Sequence, residues 1–565
     1  RKENIPMGNR HNMPRKHKRT SRLLFLSVLI LQILFAVFWS SQKAGFWVDE
    51  LWSYGLANSY YHPYVYIEGP VEEGWVPGEY FGDYVTADTE HRFDYGSVFY
   101  NQEQDTHPPL FYMVLHTISS FFPETFSKWY GLFPNIIYFS ITSILVYLWC
   151  SKLSGGNQNF ALLAMIFWGF SIAAMSCVIY IRMYMLLTMW FVATLYLHSC
   201  MLMENRQSFR QLAALLLITF SGFFTHYYFS ILGAFLSAGY ICWLMLHKHW
   251  KRLWQYVVTM LLSLGLVWIV FPDTFVKIFG RDSNRGVQAY QNLKNASSLL
   301  PHLNTYLGII NTEMFAGHLV LFLLAAAAAA FFLRQLHIRR AENSIRTRRL
   351  SDASRREQRK EKRTEHLLVS QSACAALGIA AVDICIYTIL IALIAPYQAD
   401  RYIFCIFPVI AIGFTILICK IFSLTKEKKK GFQAACILLL VLVAGQWIQR
   451  TPGYLYTEKK NNVALSQQYS DKDCLYITYD YNRYLPTNNV LELQNYQRVL
   501  TVKVSGEDYM PIDSALQETM TSPVVYIDGM MNVSDVIQYI TNAGGYTKST
   551  EIYPDDKTYV IYFEK

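Results

Sequence analysis

The sequence predicts a polytopic α-helical membrane protein of about eleven transmembrane helices with a small α/β domain at its C-terminal end. Three observations point there. Apolar residues fill 53% of the 565 positions and charged residues only 16%, against about 25% charge in soluble domains. Apolar runs close to the roughly 20 residues needed to cross a bilayer recur along most of the chain. The positive charge clusters beside those runs. Residues 1–22 hold eight Lys and Arg against one Glu, and residues 334–366 hold twelve against five acids, which more than accounts for the net charge of +9. That placement follows the positive-inside rule and removes nucleic-acid binding as the reason for a basic chain. The same composition excludes a soluble enzyme, a secreted disulfide scaffold and a disordered chain.

The apolar runs fall at 22–42, 129–150, 158–180, 183–203, 210–226, 227–247, 254–274, 317–335, 367–395, 401–423 and 431–449. The basic tail, residues 1–21, sets the N-terminus in the cytoplasm, and the stretches 247–252 (HKHWKR), 334–366 and 426–430 (KEKKK) belong on the same side. Eleven crossings satisfy all of these and leave the C-terminus outside. The full-length run Ser21–Ser41, with no small-residue cleavage site behind it, reads as an anchor that is retained. A further run, His107–Phe122, would reverse the parity if it crossed. Its Pro-Pro opening and 16 residues suit a juxtamembrane or re-entrant helix with both ends outside, with a short true span as the alternative. Residues 22–449 then form a membrane module, with 43–128 as its first extracytoplasmic loop.

Two regions lie outside the membrane. Residues 43–106 carry twelve Asp and Glu against two Lys and Arg, among many Tyr and Trp. Residues 450–565 alternate strand-like runs (474–479, 524–528) with helix-like stretches (455–470, 533–543) and end in the paired runs 546–553 and 558–563. This is the pattern of a small α/β domain. It has no glycine-rich phosphate loop, so support or acceptor recognition is expected of it. Nine of the ten cysteines lie in apolar runs and only Cys474 in this domain, without Cys-x-x-Cys or Cys/His spacing, so neither a zinc site nor a disulfide framework is expected.

Ionisable residues at membrane depth cost at least about 2.5–3.5 kcal/mol each and mark functional sites. Here they collect on the outer side. Asp49 and Glu50 follow the first span; adjacent carboxylates point different ways, so one is free for chemistry while the other holds a partner. Asp105, His107 and Pro108 open the re-entrant helix. Arg182 and Tyr184 lie in a short outer turn, His226 in another, Arg401 and Tyr402 at the start of a span, and Arg281 with Arg285 in the loop after the seventh span. Each arginine alone is also an ordinary interfacial anchor. Arginine on the outer face runs against the positive-inside rule, however, and suits the bidentate binding of a lipid phosphate. Carboxylates, histidine and arginines together fit general-base group transfer from a lipid carrier. Aspartate is a weak base, so burial or a like-charged neighbour such as Glu50 is expected to raise Asp49.

The Asp-Glu pair after the first span, the His-Pro-Pro-Leu run, the Arg-x-Tyr turn, the Thr-His-Tyr-Tyr turn and the later Arg-Tyr resemble the polyprenyl-phosphate-dependent membrane glycosyltransferases of the C-type fold. Protein O-mannosyltransferases and the lipid A aminoarabinose transferase are the most similar subset. The resemblance spans about residues 22–425. It implies inverting transfer of a sugar from a polyprenyl-phosphate donor to a lipid, glycan or protein acceptor on the non-cytoplasmic side. It implies Asp49 as base with Glu50 as neighbour or substitute, His107, Pro108 and Pro109 packed under the first loop, and Arg182 and Arg401 on the donor phosphate. It further implies no required cofactor; a divalent ion at the acidic loop stays open, although no ordered ligand spacing is present. Cysteine usage favours a bacterial plasma membrane. The α/β tail departs from the family's protein-directed members and weakens the case for a protein acceptor. Two other classes stay open: a flippase for a lipid-linked sugar, although charges at the outer ends rather than mid-span argue against transport, and a receptor working through residues 450–565.

Overall fold

The computed structural model describes residues 15–66, 74–279, 284–294, 296–322, 324, 325, 328, 331, 370–423, 428–555 and 557–565. Among these, eight helices are long and apolar enough to cross a membrane: Thr20–Ser41, Trp129–Leu153, Tyr184–Met203, Phe229–Leu246, Trp250–Val270, Gln371–Ile394, Asp400–Ser423 and Gly431–Gln449. Each falls on an apolar run of the sequence, and the chain is a multi-pass membrane protein. The apolar run 210–226 becomes the shorter helix Phe209–Phe223. The basic loop 334–366 and about half of the 317–335 run lie outside the described residues.

The run 158–180 is not one straight helix. It breaks into Gln158–Gly169 and Ile172–Ile179, bent by 56°. A break at this depth frees backbone groups that lipid cannot satisfy. Side chains supply the partners. Ser171 caps the second half by accepting from Ala174 N at 3.2 Å. Gln446 accepts from Ile172 N at 3.0 Å and donates to Met314 O at 2.7 Å. At the far end Asn135 Nδ2 donates to the carbonyls of Val178 and Tyr180 at 3.0 and 2.9 Å. The bend thereby redirects the chain into a buried turn, residues 180–183. The His-Pro-Pro segment opens the helix Leu110–Ser120, whose 11 residues rise about 16 Å, half the hydrocarbon thickness. Its first N–H is satisfied by Phe224 O at 3.1 Å.

The C-terminal domain is built on a six-stranded sheet, β1 (Val76–Pro77), β2 (Asp473–Tyr479), β3 (Arg498–Val504), β4 (Val524–Asp528), β5 (Lys548–Pro554) and β6 (Thr558–Glu564), in the order β1-β3-β2-β4-β6-β5. Strands β3, β2 and β4 are parallel, and β6 and β5 continue antiparallel. Along β2 and β4 the side chains alternate between two cores. Leu475, Ile477, Val525 and Ile527 pack with Ile512, Val536 and Ile540 of the covering helices. Cys474, Tyr476, Val524 and Tyr526 belong to the core shared with the membrane module. The sheet is therefore buried on both faces, which is why these strands read as unbroken apolar runs.

β1 comes from the first loop rather than from the tail, pairing antiparallel with β3 through Val76 and Val499. The sequence boundary at residue 450 is thus not a boundary in space. Trp75 Nε1 donates to Glu518 Oε2 at 2.8 Å, and the Arg498 guanidinium lies 4.0 Å from the Trp75 ring centroid. Gly78 follows directly. A Cβ there would lie 2.2 Å from Tyr496 O, a backbone atom that cannot turn aside. Gly78→Ala is expected to destabilise this join by about 1–3 kcal/mol, seen as faster limited proteolysis between residues 67 and 90 of the purified protein.

Candidate functional site

Helix Val48–Asn58 begins seven residues after the first span and carries both acids in its first turn. Glu50 is fully buried. Its two oxygens take Lys43 Nζ at 2.9 and 3.0 Å, Trp47 N at 2.8 Å and Ile181 N at 2.8 Å. Lys43 Nζ also donates to Tyr454 O at 2.7 Å. One carboxylate so ties the first loop to the buried 180–183 turn and, through Lys43, to the start of the tail. Burial raises the pKa of Glu50 and lowers that of Lys43, while their mutual attraction opposes both shifts.

Asp49 faces the other way, into a cluster of cations and phenols, and keeps 18% of its side chain accessible. Its Oδ2 meets Arg401 Nη2 at 3.2 Å and accepts from Tyr180 OH at 3.1 Å. Arg182 Nη1 donates to Asp49 O, Ser53 Oγ and Tyr112 OH at 3.0, 3.2 and 3.1 Å. Burial would raise the Asp49 pKa, but Arg182, Arg401 and the Tyr180 hydroxyl outweigh it, and the carboxyl lies below its ordinary value. The expected rise from Glu50 does not occur, because Glu50 points away and is itself matched by Lys43. Both oxygens of Glu50 are occupied by partners inside the protein.

The rest of the cluster surrounds these groups. Arg401 lies 5.6, 5.2 and 5.4 Å from the ring centroids of Tyr180, Tyr397 and Tyr402. Tyr184 stacks on Tyr180 with centroids 5.7 Å apart and approaches Tyr402 edge-on at 6.3 Å. Asp105 Oδ2 meets His107 Nδ1 at 2.9 Å, and Tyr64 OH donates to Asp105 Oδ1 at 3.3 Å. Burial opposes ionisation of Asp105, yet His107 and Arg182 hold it well below the usual carboxylate range. Pro108 is buried beside His107, ahead of the Leu110–Ser120 helix. The His107 and His226 rings are 5.4 Å apart. Burial, then His107 and Arg182, keep His226 well below its ordinary pKa. Its Nδ1 accepts from Tyr228 N at 3.0 Å, so the neutral ring carries its proton on Nε2. That buried donor has no partner among the described residues, and neither do Arg182 Nε and Arg401 Nε. Three buried N–H donors of this cluster are therefore unmatched among the described residues, a set suited to an anion.

Of the residues picked from the sequence, Asp49, Glu50, Asp105, His107, Pro108, Arg182, Tyr184, His226, Arg401 and Tyr402 come together. Arg281 lies outside the described residues, and Arg285 is placed only as part of the helix Asn284–Lys294. Lys43, Tyr180, Tyr112 and Tyr454 were missed. Lys43 had a signal, a basic residue just outside the first span; the tyrosines were indistinguishable from the other aromatics of the chain. Among the described residues no three His, Cys, Asp or Glu side chains are grouped to hold a metal ion.

No family model matches the sequence, and neither does any curated protein. Solved structures do match. The crystal structure of ArnT from Cupriavidus metallidurans bound to undecaprenyl phosphate superposes with a TM-score of 0.52 at 11% identity, over 96% of this chain and 97% of that one. This chain has the C-type membrane glycosyltransferase fold. At such identity the likeness is one of fold. The apo state of the same ArnT gives 0.49 at 11% identity over 97% and 98% of the two chains. The archaeal oligosaccharyltransferase AglB from Archaeoglobus fulgidus, in complex with an inhibitory peptide and a dolichol-phosphate, gives 0.45 at 12% identity over 92% of this chain and 71% of that one.

Removing one member of the Lys43–Glu50 pair strands the other charge in the protein interior. Lys43→Met is expected to destabilise the protein by about 3–5 kcal/mol, read as a lower melting temperature in detergent. The double variant Lys43→Met, Glu50→Gln should recover part of that loss, because no charge is then left unpaired and the amide oxygen can still accept from one of the two backbone N–H groups.

Proposed function

We propose that the protein transfers a sugar from a polyprenyl-phosphate donor to a cell-envelope acceptor on the extracytoplasmic face of the membrane, with the N-terminus in the cytoplasm. The observation that carries this reading is the Asp49–Arg401–Arg182 cluster with its unmatched N–H donors, set beside the ends of apolar helices in a fold shared with an undecaprenyl-phosphate-bound ArnT.

Arg401 and Arg182, with His226 Nε2–H, bind the donor phosphate at the lipid interface. Asp49 accepts the proton of an acceptor hydroxyl as that oxygen bonds the anomeric carbon. The C–O bond to phosphate breaks on the opposite face, its electron pair leaves with the polyprenyl phosphate, and the anomeric centre inverts. The arginines stabilise the charge that develops on that leaving group. A phosphate on Arg401 competes with Asp49 for the same guanidinium. Donor binding thus loosens the interaction that depresses Asp49 and makes it a stronger base when one is needed. Glu50 holds the helix that aims Asp49, and the residues do this work without a metal.

The test is transfer by the purified protein from a panel of radiolabelled polyprenyl-phosphate sugars. Asp49→Asn should lower transfer about 10²–10⁴-fold with the fold intact, and a chelator should have no effect. Retention of more than about a tenth of the activity would remove Asp49 as base.

The pH profile carries a separate signature. Asp49 must be ionised to accept a proton, so activity falls as pH drops through its pKa. In kcat/KM, which reports the free enzyme, the acid limb should lie below the ordinary aspartate value of about 3.9. In kcat, which reports the donor complex, it should lie higher. Coincident limbs would show that the donor does not release Asp49 from Arg401.

A further inference from the structure

At the carboxyl end of its parallel strands the C-terminal domain presents aromatic rings to solvent. Strand β2 has β3 on one side and β4 on the other. The segment from β2 to β3 covers the face shared with the membrane module, through Leu485, Val490 and Leu493. The helix Met510–Glu518, which leads from β3 to β4, covers the opposite face through Ile512 and Ala515. Crossovers on opposite faces make the carboxyl ends of β2 and β4 a switch point, where parallel sheets bind ligands. There Asn482 Nδ2 donates to Asp528 Oδ2 at 2.8 Å, and the Tyr479 and Tyr481 rings stack, with centroids 5.2 Å apart and planes 11° from parallel.

From this point rings lead inward to Asp49. Residues 480–484 keep a tight helical-turn backbone, and three residues of such a turn advance about 6 Å. Tyr484 therefore lies one turn on from Tyr481. It meets Trp52 at 6.2 Å and Tyr66 at 4.4 Å, both edge-on. Tyr66 stacks on Tyr64 at 5.4 Å, and Tyr64 holds Asp105. Trp52 lies one helical turn from Asp49. Tyr481 is 66% and Tyr484 43% exposed. Single exposed rings are ordinary; a run of them leading into a site marks a binding surface.

The chemistry of this surface fits a sugar chain. One face of a pyranose ring is a patch of C–H groups that packs on an aromatic face, while its rim is hydroxyl. The rings here alternate with Asp480, Asn482 and Arg483, of which Asp480 and Arg483 are exposed, and these can pair with hydroxyls at the rim. The single turn between Tyr481 and Tyr484 is close to the length of one pyranose residue. A lipid chain would need an unbroken apolar wall. An extended peptide adds to a sheet edge, and the edges are β1 and β5, not this end.

We infer that the acceptor is a glycan chain, held along Tyr481 and Tyr484 so that its terminal hydroxyl reaches Asp49. The inference rests on the proposed sugar transfer at Asp49 and names the acceptor class for it.

The test is binding to the full-length protein in phospholipid nanodiscs free of sugar-headed detergent, measured by titration calorimetry. The probes are maltohexaose, cellohexaose and chitohexaose, their monosaccharides, and a serine-containing hexapeptide. Stacking reads a pyranose face rather than one sugar, so the wild type should bind a hexasaccharide, at least about tenfold tighter than its monosaccharide, and ignore the peptide. Tyr481→Ala and Tyr484→Ala should each weaken that binding about three- to tenfold. Tyr481→Phe and Tyr484→Phe, which keep the ring, should bind as the wild type does. Tyr481 is mostly in water, so its alanine variant keeps the wild-type melting temperature. Polyprenyl phosphate binding is measured in the same nanodiscs. If it is retained, then failure of every hexasaccharide to bind, binding of the peptide instead, or alanine variants equal to the wild type overturns the inference alone. Failure of the wild type to bind polyprenyl phosphate overturns the arginine site as well.

Discussion

The site hangs on Glu50. A carboxylate with no access to water satisfies both oxygens on a lysine and two backbone N–H groups, and those partners belong to different parts of the chain. Lys43 follows the first span, Trp47 precedes the loop helix, and Ile181 lies in the turn that carries Arg182. The arrangement contributes little net stability by itself, because desolvating two charges offsets most of their attraction. What it supplies is register: any displacement of these segments leaves a charge unpaired in a medium that penalises it heavily. Asp49 is aimed because its neighbour is immobilised.

The broken span performs a related service within the membrane. An unbroken helix over 158–180 would carry its C-terminal residues along a straight axis. The bend after Gly169 redirects them, and Ser171, Gln446 and Asn135 satisfy the backbone groups that the bend and the helix end expose. Polar side chains scattered through apolar runs are thus structural mortar in one place and chemistry in another. Asp383, with no hydrogen-bond partner among the described residues, belongs to neither group.

Much of this was legible in the sequence, for identifiable reasons. Spans declare themselves by length and apolarity, and the residues flanking them by ionisable or polar groups at the ends of apolar runs, which picked out Asp49, Arg182, His226 and Arg401. The division of labour between Asp49 and Glu50 was legible only as a possibility, since adjacency says that two side chains diverge but not which one meets a lysine. The lowered pKa of Asp49 was not legible at all: it depends on Arg182 and Arg401, both far away in the sequence. The α/β character of the tail followed from its alternating runs, but β3 was passed over because its side chains alternate with Arg498, Thr501 and Lys503. The two-residue β1, inside an acidic loop, carries no strand signal of its own. Asp383 was overlooked as one acid within an otherwise apolar run.

The sheet that borrows β1 from the first loop sets the order in which the protein can be finished. Val76 and Pro77 are made early, whereas their partner strand around Val499 is translated some four hundred residues later, after every described span. Until then the loop beside the candidate site lacks the edge against which it closes. The site is therefore completed only once β3 has been made, and a chain truncated between Arg401 and β3 carries the polar groups without the frame that holds them. Exchange of the tail between related chains faces the same constraint: the Trp75–Gly78 segment has to travel with it.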